Sequence, residues 1–406
     1  MEYSSYYFVF SYNEILIRNE GKTMLNYTFI QNVKVITGAG CVAQIGELLN
    51  TLGYRKTFLV FDQGMRKAGI IDIVETSLRM ANIDFVEFDK VQAEPPSEII
   101  ESGAALCREL ECDSVVAIGG GSSIDTGKGI NILRFNEGSI LDYATKQMKK
   151  CSGLVTIPTT SGTGSELSNG AIISDTKNNL KVPILCLNNM PEYTILDPEL
   201  TIRLPYDLTL VTGLDVFSHA AESYTSKNAN PMTDLICEKI MQTVIETLPV
   251  TLREPDNLVA REKMQCAASM GGWMLYSASA HVGHSIAHVL GAHLHITHGA
   301  ACAYTLPVIL KTTAPILPEK IRYIGTLLGA NYQGVEQAEE IGQRTSEVYK
   351  DFCEKLSLRP MSKYIVQEEE MEALIERIIH EPLAAVAPME IDKLLVRKML
   401  NEILSS

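Results

Sequence analysis

Ser114-Val115-Val116-Ala117-Ile118-Gly119-Gly120-Gly121-Ser122-Ser123-Ile124-Asp125 is the stretch on which the fold turns. Its opening residues are small, apolar and β-branched and read as a buried strand; three glycines stop it, and a helix runs on through Lys128. Consecutive glycines between a strand and a helix let the backbone approach an anion. Several N–H groups then point at that anion, and the helix N-terminus adds a favourable dipole. The same turn also serves plain tight geometry in many α/β chains, so by itself it leaves both readings open.

Thr57-Phe58-Leu59-Val60-Phe61, Leu154-Val155-Thr156-Ile157 and Tyr193-Thr194-Ile195-Leu196 are further strand candidates. Amphipathic stretches at 71–81 and 97–110 lie between them. Such alternation over residues 31–204 predicts an α/β domain with a largely parallel, Rossmann-like sheet and helices on both faces. After Pro205 come long helical periodicities at 233–248, 259–278 and 320–328 with few strand candidates, so an all-α second domain is expected. The division is a segment 1–23 of aromatic bias that is an upstream extension or an extra edge strand, an α/β domain 24–205 and a helical domain 206–406. A cleft between the two domains is the natural place for a site.

A second loop, Pro158-Thr159-Thr160-Ser161-Gly162-Thr163-Gly164-Ser165-Glu166, also follows a strand and is dense in hydroxyls and glycines. Two such loops at the ends of parallel strands can grip a pyrophosphate and ribose between them; a turn that caps a helix is the competing reading. Asp62 ends the strand that contains Val60. A carboxylate there accepts from both ribose hydroxyls and repels a 2′-phosphate, which favours NAD over NADP, although strand-end aspartates also cap helices. The first βα turn carries no G-x-G-x-x-G.

Six of the eight histidines fall between His281 and His298, and a seventh is His219. Asp215 and His219 are four apart, hence one helical turn apart on one face, as are His284 and His288. Gly291 is expected to end the helix of the second pair, and His298 to open the next. One carboxylate with three imidazoles suits Fe(II) or Zn(II) with room for a substrate oxygen; a single D-x-x-x-H pair would be structural more often than not. Apolar neighbours such as Leu214, Val216, Ile286 and Leu290 take the set out of the class of solvated histidine loops.

Composition narrows the partners. A hydrophobic share of 46%, 35 basic against 49 acidic residues and no dense basic stripe speak for a soluble protein that binds neither nucleic acid nor anionic membrane. Nine cysteines, Cys41 to Cys353, without a C-x-x-C pair suit reduced thiols in the cytoplasm. No apolar run reaches bilayer length, and the first residues make a poor signal peptide.

Taken together, GGGSSIDTGKG (119–129), IPTTSGTGSE (157–166), ILDPELTIRLP (195–205), GLDVFSHAAESYTS (213–226) and HVGHSIAHVLGAHLHITHG (281–299) resemble the iron-containing (group III) alcohol dehydrogenases from about residue 30 onward. The resemblance implies the dehydroquinate synthase-like architecture of a dinucleotide-binding α/β domain followed by a helical one. It implies metal ligation by Asp215, His219, His284 and His298, with Fe(II) first and Zn(II) as the alternative. His288 becomes a non-ligand near nicotinamide and substrate. Gly120, Gly121 and Ser122 would hold the pyrophosphate of NAD with Asp125 beside them, and Asp62, Thr159, Thr160, Thr163 and Lys181 would complete the cofactor site. A homo-oligomer such as a dimer is implied as well.

Pro95-Pro96-Ser97 departs from the family's Asn-Pro-Thr, Thr297 replaces a proline before the last ligand, and His281, His293 and His295 are extra. The expected chemistry is hydride transfer between NAD(H) and a small alcohol, diol or aldehyde, with the metal as Lewis acid and His288 as proton relay. Rivals are glycerol or 4-hydroxybutyrate dehydrogenase activity in the same superfamily, a dehydroquinate synthase-like lyase, and a non-enzymatic metal-binding protein.

Overall fold

The computed structural model describes residues 18–19, 22–23, 27–178, 180–185, 187–361 and 364–405. Segment 1–23 lies outside the described residues except for β1 (Arg18–Asn19) and β2 (Lys22–Thr23), which pair antiparallel. There follow β3 (Lys34–Thr37), α1 (Ile45–Thr51), β4 (Lys56–Phe61), α2 (Gln63–Lys67), α3 (Ile70–Met80), β5 (Asp84–Phe88) and α4 (Ser97–Glu109). Then come β6 (Ser114–Gly119), α5 (Gly121–Phe135), β7 (Leu154–Pro158), the antiparallel pair β8 (Gly170–Asp175) and β9 (Leu180–Leu185), and β10 (Tyr193–Leu196).

Six strands form one parallel sheet in the order β3-β10-β7-β6-β4-β5. Side chains alternate across it, so the inner strands β4, β6 and β7 each feed two cores. Phe58 and Val60 pack with Ile100 and Ala104 of α4 and with Ile130 and Leu133 of α5. Leu59 and Phe61 pack on the other face with Ile45 and Leu49 of α1 and with Ile71, Val74 and Leu78 of α3. Register brings the strand ends level: Phe61 pairs Ile118, and Ile118 pairs Ile157. Asp62, the glycine loop and the 158–166 loop therefore leave the sheet side by side.

Past Pro205 the described elements are helical: α6 (Tyr206–Thr225), α7 (Pro231–Arg253), α8 (Leu258–Ser277), α9 (Val282–Leu294), α10 (His298–Thr313), α11 (Pro318–Leu327), α12 (Ala338–Lys355), α13 (Glu368–Ile379) and α14 (Lys393–Leu404). Every residue of α6 from Gly213 to Thr225 is buried, which makes it the central rod of this half. Helix α9 passes the expected stop at Gly291 and ends three residues later. Its last turn closes when Ile296 N–H donates to the Gly291 carbonyl, and His295 takes the left-handed cap at φ 54°.

The 158–166 loop is fastened to α8. Gln265 Nε2 donates to the Pro158 carbonyl at 3.2 Å and Ser269 Oγ to Glu166 at 2.5 Å. Gly164, at φ +61°, and Gly272 touch backbone to backbone, so neither position has space for a Cβ. Among the described residues no helix is long and apolar enough to cross a membrane.

Candidate active site

On the sheet side, Asp62 fills the capping role open to it. Oδ1 accepts from Gly64 N–H at 2.7 Å and caps α2, while Oδ2 faces Ser123 Oγ at 3.5 Å across the glycine loop. Helix α5 starts at Gly121 with Gly120 as its cap, so the first amides of a buried helix open at this point. Thr159 N–H donates to the Gly119 carbonyl, locking the second loop to the first. A Cβ on Gly120 would meet Thr160 at 3.3 Å, and one on Gly121 would meet Thr163 Cγ2 at 2.8 Å.

Asp125 lies beneath this surface: its oxygens accept from Ser165 Oγ at 2.5 Å and Ile172 N–H at 3.0 Å. Its neighbour Lys128 donates to the Ser168 and Gly170 carbonyls, and burial pushes the ammonium down to about 8. This pair anchors the two loops to each other. Lys181, from the β8–β9 hairpin, pairs with Glu94 at 2.5 Å, and Glu94 N–H donates to Ser122 Oγ at 3.3 Å.

The threonine contact decides what a methyl group at Gly121 does. Gly121→Ala must part the two loops before it can crowd any phosphate, and overpacking of this kind costs about 1–3 kcal/mol. The NADH dissociation constant is expected to rise about tenfold or more in a fluorescence titration, with metal content unchanged. An unaltered titration would reduce these glycines to a turn.

In the helical half, Asp215 and His219 project from α6, His284 and His288 from α9, and His298 from the start of α10. Three imidazole Nε2 atoms surround one carboxylate oxygen. From Asp215 Oδ1 the distances are 3.5 Å to His219, 3.9 Å to His284 and 3.6 Å to His298. These are too long for good hydrogen bonds, and Asp215 Oδ1 and His284 Nε2 are buried without a hydrogen-bond partner among the described residues. Ligands held at roughly 2.0–2.1 Å by one tetrahedral ion stand about 3.3–3.4 Å apart, close to the spacing seen. The donor set and its orphaned atoms fit a divalent cation.

The chain matches known proteins along its length. Residues 32–198 match the family described as iron-containing alcohol dehydrogenase, and residues 209–404 its C-terminal counterpart, Fe-containing alcohol dehydrogenase family, C-terminal. The choline dehydrogenase of Bacillus subtilis (strain 168) is 31% identical over 90% of this chain and 92% of its own length. The chain belongs to the iron-containing alcohol dehydrogenases. The NAD-dependent methanol dehydrogenase of Bacillus methanolicus is 34% identical over 78% of this dehydrogenase and 83% of the relative. The solved structure of an alcohol dehydrogenase from Oenococcus oeni superposes with a TM-score of 0.89 at 28% identity, covering 93% of this chain and all of that one.

Around the cluster, the dehydrogenase places residues that sequence reading gave no role. Glu222 is fully buried on α6, seven residues from Asp215 and so on the same face. Its Oε1 sits 2.7 Å from His284 Nδ1, and its Oε2 accepts from the backbone N–H groups of His281 and His284. Burial alone would raise the Glu222 carboxyl, but the imidazoles of His284 and His281 hold it down to about 2. Against the opposing effect of burial, Glu222 and Asp215 raise His284, so the surroundings of that ring favour positive charge at the place a cation would take. Burial pushes His219 down to about 4, which keeps its nitrogen lone pair free near neutrality.

Cys302, one turn beyond His298 on α10, completes a group with Asp215, His284 and His298 whose ligand atoms lie within 4.8 Å of one another. Burial, with the Asp215 and Glu222 carboxylates nearby, pushes its thiol well above the ordinary range, and its Sγ lies 3.7 Å from His298 Nε2. His219 stands beside that group with its ring 4.9 Å from that of His284. Of the extra histidines, His281 is buried against Thr225 Oγ1 at 3.0 Å, His293 faces Glu370 at 3.4 Å and His295 caps α9.

Glu222 backs His284 as a carboxylate backs a metal-ligating imidazole elsewhere, and losing such a partner typically weakens metal binding about 10–100-fold. Glu222→Gln keeps the size of the side chain. Its metal dissociation constant, measured by competition with a chromophoric chelator, is expected to rise by that factor. Unchanged affinity would leave Glu222 as a helix cap alone.

Proposed function

We propose that this oxidoreductase interconverts a small alcohol or diol and its aldehyde, using NAD(H) and one divalent ion held by Asp215, His219, His284 and His298. The observation that carries the proposal is the convergence of three Nε2 atoms on the partnerless Asp215 Oδ1. When bound, the ion supplies Lewis acidity toward the substrate oxygen and NAD(H) accepts or delivers the hydride. Asp215 brings one negative charge to the site and the histidines bring neutral donors. Glu222 holds the His284 ring so that Nε2 faces the cluster. Gly120, Gly121 and Ser122 offer the start of α5 to the pyrophosphate, flanked by Thr159, Thr160 and Thr163, with Asp125 fixing the loops from below and Lys181 steadying Glu94 over Ser122. Asp62 Oδ2 accepts a long 3.5 Å contact from Ser123 Oγ and has lone-pair capacity left for ribose hydroxyls, while its charge opposes a 2′-phosphate. His288, stacked 5.2 Å from the His298 ring and partly open, takes or returns the proton of the substrate hydroxyl.

The division at residue 205 and a cytoplasmic location belong to the same reading; Cys41, Cys107, Cys112, Cys237, Cys266, Cys302 and Cys353 are free thiols. A lyase of the dehydroquinate synthase type needs cations for a phosphate and a carboxylate, whereas the charged groups bonded to these histidines are the carboxylates of Glu222 and Glu381. The test is a spectrophotometric panel of short aldehydes, diols and hydroxy acids with Fe(II)- and Zn(II)-loaded enzyme. NADH oxidation on aldehydes, faster than NADPH oxidation, is expected; no NADH oxidation with any carbonyl would end the proposal.

A further inference from the structure

His288 does not stand alone. Its Nδ1 lies 2.9 Å from Oε1 of Glu381, a residue 93 positions further along the chain. Glu381 precedes the short turn Pro382–Val386, and its other oxygen, Oε2, accepts from Leu383 N–H at 2.8 Å and from Ser285 Oγ at 2.6 Å. The turn is tied to the end of the helix that carries Asp215, His219 and Glu222. Lys227 N–H donates to the Val386 carbonyl at 3.0 Å, and Lys227 Nζ donates to the Ala385 carbonyl at 3.2 Å. Glu381 is thereby held in register with the cluster by contacts that do not involve His288.

We propose that Glu381 is a positioning residue that fixes His288 in its Nδ1–H tautomer and leaves Nε2, on the far side of the ring, as the acceptor. A carboxylate only accepts hydrogen bonds, so at 2.9 Å the imidazole atom facing it carries the hydrogen. The opposite ring nitrogen, Nε2, points away from that bond, and the side chain keeps 18% of its surface exposed. That nitrogen is then able to take a hydroxyl proton. Burial works against the ionised Glu381 carboxyl, but the hydrogen bond from His288 leads the interactions that hold it below its usual range. For its effect on rate, the proposal rests on His288 acting as the proton relay; for the tautomer it rests on Glu381 alone.

Glu381→Gln makes the sharp test, because the amide has one acceptor where the carboxylate has two. Leu383 N–H can only donate, so the amide oxygen must stay with it, and the NH₂ group turns to His288 Nδ1. The ring then has to accept at Nδ1 and carry its hydrogen on Nε2, which becomes a donor. In buried carboxylate–histidine pairs the wrong tautomer costs on the order of 10⁴ in kcat.

The experiment is nitrogen NMR of ¹⁵N-histidine-labelled, Zn(II)-loaded full-length enzyme at fixed pH. The His288 signals are identified by their absence in His288→Ala, and kcat, KM and metal content are measured beside them. Wild-type His288 should show a protonated Nδ1 and a bare Nε2. Glu381→Gln should exchange the two patterns and lower kcat for alcohol oxidation by about 10²–10⁴-fold, with KM and metal content little changed. Glu381→Asp, which keeps the acceptor chemistry, should restore the wild-type tautomer and part of the rate. An Nε2–H tautomer in the wild type, which needs no variant to observe, would overturn the proposal, as would an unshifted spectrum in Glu381→Gln. If His288→Ala kept full turnover, the relay reading would fall while the tautomer result still stood or fell by the spectrum.

Discussion

His284→Ala is expected to strip the purified enzyme of most of its metal and of turnover with it, whereas His288→Ala keeps the metal and loses rate alone. The two residues sit one turn apart on α9, yet their surroundings differ. His284 Nε2 is buried, has no hydrogen-bond partner among the described residues, and faces Asp215 Oδ1 at 3.9 Å with Glu222 behind the ring. His288 leans on Glu381, stacks on the His298 ring and lies partly open. Removing one of four donors breaks coordination, while removing a general acid–base group typically costs about 10²–10⁴-fold and leaves a measurable remainder. Metal analysis beside NADH-linked kinetics separates them. Metal loss in His288→Ala with retention in His284→Ala would reverse the two assignments.

Gly272→Ala is expected to be among the most damaging single changes away from the metal cluster. The added methyl would have to occupy the space of the Gly164 backbone, and Gly164 cannot easily yield because its φ of +61° is itself held by the loop. Flexible side chains can step aside from a clash; two backbones cannot. A stability loss of about 3 kcal/mol or more follows, at the upper end for overpacking, and denaturant unfolding measures it. Because the same loop carries Thr160 and Thr163, NADH affinity should fall in whatever fraction remains folded. A midpoint and NADH affinity close to wild type would show that the loop is not seated on α8 as described.

The sheet was legible where its strands are buried on both faces and rich in branched residues, as in Thr57–Phe61 and Ser114–Ile118. Strands β3 and β5 lie at the edges and read Lys-Val-Ile-Thr and Asp-Phe-Val-Glu-Phe, with charges mixed in, so neither carries the continuous apolar run of a central strand. The spacing of Asp215 with His219, and of His284 with His288, is enough to place each pair on one helix face. Glu222 was within reach by the same rule, since it follows Asp215 by seven residues and His219 by three. Glu381 was not. It reaches His288 through the tertiary path of α13 and the following turn, and no local periodicity encodes a pairing across 93 residues. Asp125 was legible by its place after the glycines, but its partners Ser165 and Ile172 were not, since they come from the second loop and the β8–β9 hairpin.

The most direct measurement is activity against metal content in a single preparation. The purified enzyme would be freed of metal with a chelator under anaerobic conditions, then titrated with Fe(II) or Zn(II) while NADH formation from short primary alcohols is followed. Activity should vanish with the metal, return in proportion to it and level off at one ion per chain, and Asp215→Ala should not recover. Full turnover by the metal-free enzyme, or recovery in Asp215→Ala equal to that of the wild type, would contradict a metal centre built on Asp215, His219, His284 and His298.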